Sequence, residues 1–316
     1  MPQISGGLNS SACRYFRGAL SRISGALPVF LPELFLILLP VFAFLIFRMA
    51  MKLSLRELAS IVLLISTLIF STYSLTLGFA YRANPLSERI GILQDGKYSE
   101  SDVESALISL TNRISDVAAD ARDFSFDAAV SAIGKSYSDF CEKYPVLDEY
   151  TPTPKPISLA PLASLVGILG IYFPLTAEVG INTAQPQYSI PFTIAHELAH
   201  AKGVAREDEA NFLAFAICAD APDPFVRYSG YLGAFEIVGA ELYKINPSAY
   251  FDIASLLPER AISDLCASSQ FIGLADNSVS DALATLNDAH LKSATGTGSL
   301  SYTLALDLII SYLIRR

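Results

Sequence analysis

The sequence predicts a mostly α-helical protein in which an N-terminal two-helix transmembrane hairpin precedes a larger helical domain. Three observations support this fold class. Two long apolar runs follow each other near the N-terminus, at residues 27–47 and 58–80. After them, apolar residues recur at the three- and four-residue spacing of amphipathic helices. Residues 191–202 then place two histidines four positions apart, between a proline suited to a helix start and a glycine suited to a helix end.

The two apolar runs predict a membrane hairpin at residues 27–82, preceded by an N-terminal tail at residues 1–26. The chain of 316 residues is 52% hydrophobic with a mean hydropathy of +0.42, which is high for a soluble protein. The first run contains a single charge, Glu33, and the second contains none. Each run is long enough to cross a bilayer core of about 30 Å as a helix. A second run so close behind the first argues against a cleaved signal peptide.

The positions of the cations predict how the hairpin is oriented. Arg48, Lys52 and Arg56 lie between the two runs and favour a cytoplasmic loop, with the following domain on the other side of the membrane. Three arginines in residues 14–22 favour the opposite orientation. Because the loop cations are the denser group, we expect the large domain to be extracytoplasmic. With its two apolar runs, the chain is expected to be a multi-pass protein of the cell membrane, in contact with lipid.

Charge argues against nucleic acid as a partner, and cysteine content argues against a structure held together by cysteines. Residues 1–82 carry a net charge of +5, so the overall −9 leaves −14 for the remaining chain. Nucleic acid is therefore not an expected partner of the large domain. The four cysteines form no CxxC pair, so the sequence predicts neither a disulfide framework nor a thiolate zinc site.

Residues 83–316 are predicted to form one helical domain. Ser101 and Glu104 have the spacing of a capping box and are expected to begin an amphipathic helix. Residues 157–174 are apolar but interrupted by proline and glycine, so we expect a buried or membrane-leaning segment there, with a third span as the alternative. The closing helix is expected to pack on the domain or to lie at the membrane surface. The other expected helices cover residues 126–144, 228–245, 258–268, 279–292 and 300–316.

The two clustered histidines predict a zinc site. On a helix, His196 and His200 project from one face a turn apart, which lets two imidazoles share one tetrahedral zinc ion. Glu197 lies about 100° round the helix from His196. Its carboxylate can reach a water molecule at the metal without being a ligand, as a general base must. Zinc with three protein ligands lowers the pKa of its water toward about 7.

The third zinc ligand is expected just after the turn at Gly203. Glu207 falls in the first turn of the next predicted helix and is the expected ligand, with Glu209 as the fallback. Asn211 lies one turn beyond Glu207 on the same face and is expected to orient a ligand from outside the metal shell. Acidic residues are also favoured in any first helical turn by the helix dipole, so a site without metal is the alternative.

Other residues are weaker candidates for the same site. Tyr228 is a candidate catalytic residue, because its hydroxyl or that of Tyr231 could donate a hydrogen bond to an oxyanion; packing is the alternative. Glu178 and Asn182 precede the histidines along the chain and could line the cleft.

Several segments of the chain, in order, resemble an uncharacterised bacterial membrane-protein family, domain of unknown function 3810. They are "GFAYRANPL", "GIYFPLTAEVGIN", "IPFTIAHELAHAKGVAREDEANFLAF", "RYSGYL" and the closing "SY" helix. The pattern HExxH followed by E-x-x-A-[DN] also resembles the gluzincin metallopeptidases, including the membrane-embedded CAAX-prenyl and heat-shock protease group. That resemblance implies an α-helical zincin-like domain, with Glu207 as the third zinc ligand.

Together these features predict a membrane-anchored zinc metalloendopeptidase that hydrolyses peptide bonds in a peptide or protein substrate. His196, His200 and Glu207 would hold Zn2+, and Glu197 would carry the proton from water to the leaving amine. The alternative is a non-catalytic membrane protein that uses the metal site structurally, as a scaffold or partner-binding module. A structural zinc site would need a fourth protein ligand.

Overall fold

The protein is mostly helical and contains one small sheet. The computed structural model describes residues 3–92, 98–121, 123–277, 280–282, 284–285, 289 and 302–314. The helices are α1 Gln3–Gly25, α2 Leu31–Ala50, α3 Leu55–Tyr73, α4 Leu86–Ile90, α5 Glu100–Ala118, α6 Phe126–Lys143, α7 Ala160–Leu165, α8 Ile190–Ala201, α9 Glu207–Ala219, α10 Pro224–Ile245, α11 Pro247–Ala254, α12 Glu259–Gly273 and α13 Tyr302–Ile314. The strands are β1 Lys155–Pro156, β2 Gly170–Phe173 and β3 Glu178–Ile181.

Helices α2 and α3 are both long and apolar enough to cross a membrane. Helix α3 continues through a π-helical turn, Ser74–Gly78, and the most apolar stretch of each helix contains no buried residue. The tight turn between them ends at Ser54, which caps α3 together with Glu57 in a capping box. Helix α2 begins at Leu31 rather than at residue 27, because Pro32 suits a first helical turn.

The N-terminal segment predicted as a tail contains the helix α1. One face of α1 is buried and includes Cys13, Arg17, Ser21 and Ser24, which recur at helical spacing. Because this buried face is polar or small, hydropathy does not reveal it. The Arg17 guanidinium donates to both oxygens of Asp148, at 2.8 and 3.1 Å, and to a backbone oxygen of the π-helical turn at 3.0 Å. Helix α1 is therefore attached both to the helical domain and to the end of the second apolar helix.

The centre of the domain is formed by five helices, α5, α8, α9, α10 and α13. Helix α10 lies against α5, α8 and α9, and its glycines permit that close approach. A Cβ atom at Gly230 would lie 2.4 Å from the Cβ of Cys218, and one at Gly233 would lie 2.6 Å from the ring of Phe192. Helix α13 packs on α9 and α5. Of the two expectations for the closing helix, packing on the domain is therefore the one the structure shows.

One predicted helix begins at a different cap, and another lies mostly outside the described residues. Helix α5 is capped by Ser99 and Asp102, not by Ser101 and Glu104. Both pairs have the same three-residue spacing, so spacing alone does not decide between them. The helix expected at residues 279–292 falls mostly outside the described residues.

Residues 157–174 do not form one long helix. They contain the short helix α7 and strand β2, neither of which was predicted from the sequence. The three-stranded sheet has the order β1–β3–β2, with β1 parallel and β2 antiparallel to β3. Helix α8 packs against β2 and β3. Phe30, just before α2, packs against Gly180, where a Cβ atom would lie 2.6 Å from the ring.

Candidate metal centre

Two helices meeting at a tight turn bring the candidate ligands together. Pro191 lies in the first turn of α8, and the helix ends at Ala201. Gly203 follows with a φ of 87°, in the left-handed region that glycine adopts readily. The chain then reverses and α9 begins at Glu207. This local structure is the one that the proline and glycine positions predict.

The three predicted ligands converge on one point. The Nε2 atoms of His196 and His200 are 3.2 Å apart. The Glu207 carboxylate lies 3.2 Å from His196 Nε2 and 3.6 Å from His200 Nε2. One ligand atom from each of the three residues lies within 4.8 Å of the others, and within the described part of the chain no other group of three or more His, Cys, Asp or Glu residues does so. Two imidazole nitrogens and a carboxylate are a donor set suited to zinc.

Contacts around helix α8 orient the His200 ring and hold the backbone of the helix in place. His200 Nδ1 donates to the carbonyl oxygen of Val204 at 2.8 Å, so its Nε2 is left to face the cluster. The Tyr137 hydroxyl donates to the carbonyl oxygen of Ala195 at 2.6 Å. The buried Lys202 ammonium donates to the carbonyl oxygen of Asp148 at 2.8 Å, which fixes the end of α8.

The charges in the cluster depend strongly on one another. Burial lowers the pKa of His200, but the Glu207 carboxylate, together with Glu197 and the hydrogen bond to Val204, outweighs burial and raises the pKa to about 9. Burial raises the pKa of Glu207, but the two neighbouring histidines hold it well below its usual range. A carboxylate that stabilises positive charge on an imidazole also stabilises a divalent cation at the same place.

Glu197 is buried beside the cluster without belonging to it. Its Oε2 atom accepts a hydrogen bond from the backbone N–H of Tyr172 in strand β2 at 2.7 Å. At Gly170 in the same strand, a Cβ atom would lie 2.7 Å from the Glu197 Cγ. Burial raises the pKa of Glu197, and the nearby histidines oppose that rise. The carboxylate therefore binds a proton more readily than an exposed glutamate does.

Glu209, the fallback ligand, points away from the cluster. Its Oε1 atom accepts from the backbone N–H of Leu86 at 2.7 Å, at the start of α4, and lies 3.8 Å from Arg206 Nε. Burial raises its pKa to about 7. Two positions along a helix rotate a side chain by about 200°, which is why Glu207 faces the histidines and Glu209 does not.

The weaker candidates have other contacts. The Tyr228 hydroxyl donates to Asp264 on α12 at 2.7 Å, and none of its described contacts is with the histidine–glutamate cluster. Asn211 is half-buried on α9, and no described hydrogen bond joins it to either histidine. Glu178 forms a buried ion pair with Lys155. The side-chain amide of Asn182 donates to the Ser164 hydroxyl on α7 and to the carbonyl oxygen of Ile168, and its oxygen accepts from the backbone N–H of Ala184. The described contacts of Glu178 and Asn182 do not support the role in the cleft that was considered for them. Those of Tyr228 do not support a role as an oxyanion donor.

Three features of the site were missed in the sequence. Strand β2 supplies the amide that holds Glu197, and the only residue in the sequence that pointed to this strand was Gly170, its first residue. Val204 orients His200 through its backbone carbonyl oxygen, and every residue type has that group, so the sequence does not indicate the contact. Burial and the neighbouring Tyr73 and Glu207 raise the pKa of Tyr81, which follows the second apolar helix. A tyrosine at the end of an apolar run is typical of an interfacial anchor, so its residue type did not reveal this position.

The fold and the cluster together define a mostly helical protein with a candidate metal centre and two long apolar helices near its N-terminus. The family described as "Protein of unknown function (DUF3810)" has a model that matches residues 10–310, and the chain belongs to that family. No curated protein and no solved structure matches the chain significantly.

Proposed function

We propose that the protein is a membrane-anchored, zinc-dependent metallopeptidase that hydrolyses peptide bonds. One observation carries the proposal: His196, His200 and Glu207 converge on one point, beside a buried Glu197 that stays outside the group. Catalytic zinc sites use three protein ligands, whereas structural sites are closed by four. Among the described residues no fourth His, Cys, Asp or Glu joins the three. The resemblance to gluzincin metallopeptidases supports the same conclusion.

The donor set fits zinc, and the surrounding residues fit a hydrolytic reaction. Zinc held by the three ligands would supply Lewis-acid activation of water at neutral pH. Glu197 accepts the proton that water loses as it attacks the peptide carbonyl carbon, and passes that proton to the leaving nitrogen. The Tyr172 amide holds one Glu197 oxygen and leaves the other for this proton transfer.

Strand β2 supports a polypeptide as the substrate. It is an edge strand of the sheet, and the amide of Tyr172 points from its unpaired side to Glu197. Backbone groups on such an edge pair with an extended peptide, and the amide pattern is the same for every sequence. A peptide lying along β2 would pair with backbone groups of that edge other than the Tyr172 amide, which Glu197 occupies, and would have its own backbone beside the general base.

The apolar helices support a location in the membrane. We propose that α2 and α3 form a multi-pass anchor in the cell membrane and that the helical domain is extracytoplasmic. Arg48, Lys52 and Arg56 at the turn between the helices favour a cytoplasmic side for that turn.

Two substitutions test the proposed function against a structural metal site. Purified wild type, Glu197→Gln and His196→Ala protein would be compared for zinc per chain by mass spectrometry and for cleavage of a peptide library. We expect wild type to contain one zinc ion and to cleave, Glu197→Gln to keep zinc and lose about 100-fold or more of the rate, and His196→Ala to lose both. A Glu197→Gln protein that cleaves as fast as wild type would refute the proposal. So would a zinc-loaded wild type that cleaves nothing.

A further inference from the structure

The uncharged segment that leads into strand β2 leaves an apolar surface exposed. Residues 156–177 contain no charged side chain. Three leucines on and after α7 are nevertheless exposed, Leu162 by 56%, Leu165 by 51% and Leu169 by 38%. The end of α12 contributes two more exposed residues, Ile272 and Leu274. We call these five residues the α7 patch.

Two contacts join the parts of the α7 patch. The side-chain amide of Asn277 donates to the carbonyl oxygen of Leu165 at 2.7 Å. Gly167 approaches Ala275 so closely that a Cβ atom at Gly167 would lie 3.3 Å from the alanine side chain. The end of α12 therefore lies directly beside α7, so the five exposed side chains are on neighbouring segments. Large apolar surfaces that are exposed on a protein commonly mark interaction sites.

The start of α2 holds this surface in place. Glu33, in the first turn of α2, accepts hydrogen bonds from the backbone N–H groups of Ser158 at 2.9 Å and Leu159 at 2.6 Å. Phe30 packs with Ile157 and Ala163 in a small apolar cluster. The beginning of α7 is therefore fixed to the domain end of the first apolar helix, where Leu34 is also exposed.

We propose that the α7 patch lies in the lipid surface. This inference rests on the proposed membrane location of α2 and α3. If those helices cross the bilayer, the chain enters the bilayer near Glu33. Because Glu33 holds the start of α7, the α7 patch lies at the same depth, at the bilayer surface. Lipid then removes the exposed leucine side chains from water, and the free energy of this transfer is favourable by about 25 cal/mol per Å² of apolar area buried. A continuous lipid-facing surface would run from α2 onto α7.

The location has a consequence for the substrate. Leu169 is followed directly by Gly170, the first residue of the strand that holds Glu197. The edge of β2 would therefore begin at the membrane surface. Polypeptide segments that lie at the membrane surface, such as the flanks of a membrane-spanning helix, would reach the edge of β2 more readily than a freely dissolved peptide.

Lipid contact can be measured residue by residue. Cys141 and Cys266 are the free cysteines that are not buried, so both would first be replaced by serine. A cysteine would then be introduced at Leu165, Leu63 or Ile108 and labelled with an environment-sensitive fluorophore, in nanodiscs that contain spin-labelled phospholipid. Leu63 is an exposed residue of α3, and Ile108 is an exposed apolar residue of α5 outside the patch. We expect quenching at position 165 to be within about twofold of that at position 63, with little at position 108.

Each other outcome overturns the inference. If position 63 is quenched and position 165 behaves like position 108, the patch is not in lipid although the anchor is. If position 63 is not quenched, the anchor itself fails. Energy transfer between labels at position 165, without lipid quenching, would show that a second copy covers the patch. Because zinc content and cleavage are not measured here, these failures are separate from a failure of the proposed chemistry.

Discussion

Replacing Gly170 with alanine tests whether strand β2 positions Glu197. The new Cβ atom would lie 2.7 Å from Glu197 Cγ and from Thr193 Cγ2, which is 0.7 Å short of the 3.4 Å at which ordinary contact begins. Either the strand or the Glu197 side chain must move by about that distance. Overpacking of this kind costs about 1–3 kcal/mol of stability. A shift of about 1 Å in a catalytic group costs about 100-fold in rate.

We therefore expect Gly170→Ala to lose about 100-fold in kcat/KM for a cleaved peptide while keeping its zinc. Gly134→Ala is the matched control, because a Cβ atom at Gly134 in α6 meets nothing within 4 Å. That control should keep full activity and gain up to about 1 kcal/mol of stability from helix propensity. Full activity in Gly170→Ala protein, at unchanged stability, would refute the positioning role of the strand.

Three further predictions concern single contacts. Glu207→Gln should lose zinc, measured per chain by mass spectrometry, whereas Glu209→Gln should keep it; equal zinc content in the two variants would contradict the ligand assignment. Arg17→Ala should lower the free energy of unfolding by about 3 kcal/mol, because it leaves Asp148 buried without its main partner, and a change in thermal unfolding below about 0.5 kcal/mol would show that the ion pair is dispensable. Tyr228→Phe should keep its cleavage rate within about twofold and lose about 1 kcal/mol of stability, since the hydroxyl bonds to α12; a large rate loss at unchanged stability would restore Tyr228 as a catalytic residue.

Local patterns in the sequence predicted the ligand helices well. The proline and glycine that frame α8 are short-range signals, because each acts on its own backbone dihedrals. The 100° rotation per residue then places His196 and His200 on one face and separates Glu207 from Glu209. These relations need only helical geometry. The convergence of His196, His200 and Glu207 follows from them once the turn at Gly203 is given.

Long-range contacts were not predictable in the same way. Strand β2 has four residues, too few for alternation to be recognised, and it exists because β3 pairs with it. Tyr228 lies in a segment that looks suitable for an oxyanion donor, but its hydroxyl meets an acid 36 residues away along the chain. Arg17 was seen only as a topology signal, yet its guanidinium is buried against Asp148. Partners so distant in sequence leave no periodic signal.

The most direct test of the proposed site is the zinc X-ray absorption spectrum of the purified wild-type protein. We predict two imidazole nitrogens and one carboxylate at about 2.0–2.1 Å, with a non-protein oxygen in the fourth position. A spectrum with four protein ligands, or with sulfur at about 2.3 Å, would contradict an open site formed by His196, His200 and Glu207. Protein purified with no bound zinc, and unable to take it up, would contradict the metal centre itself.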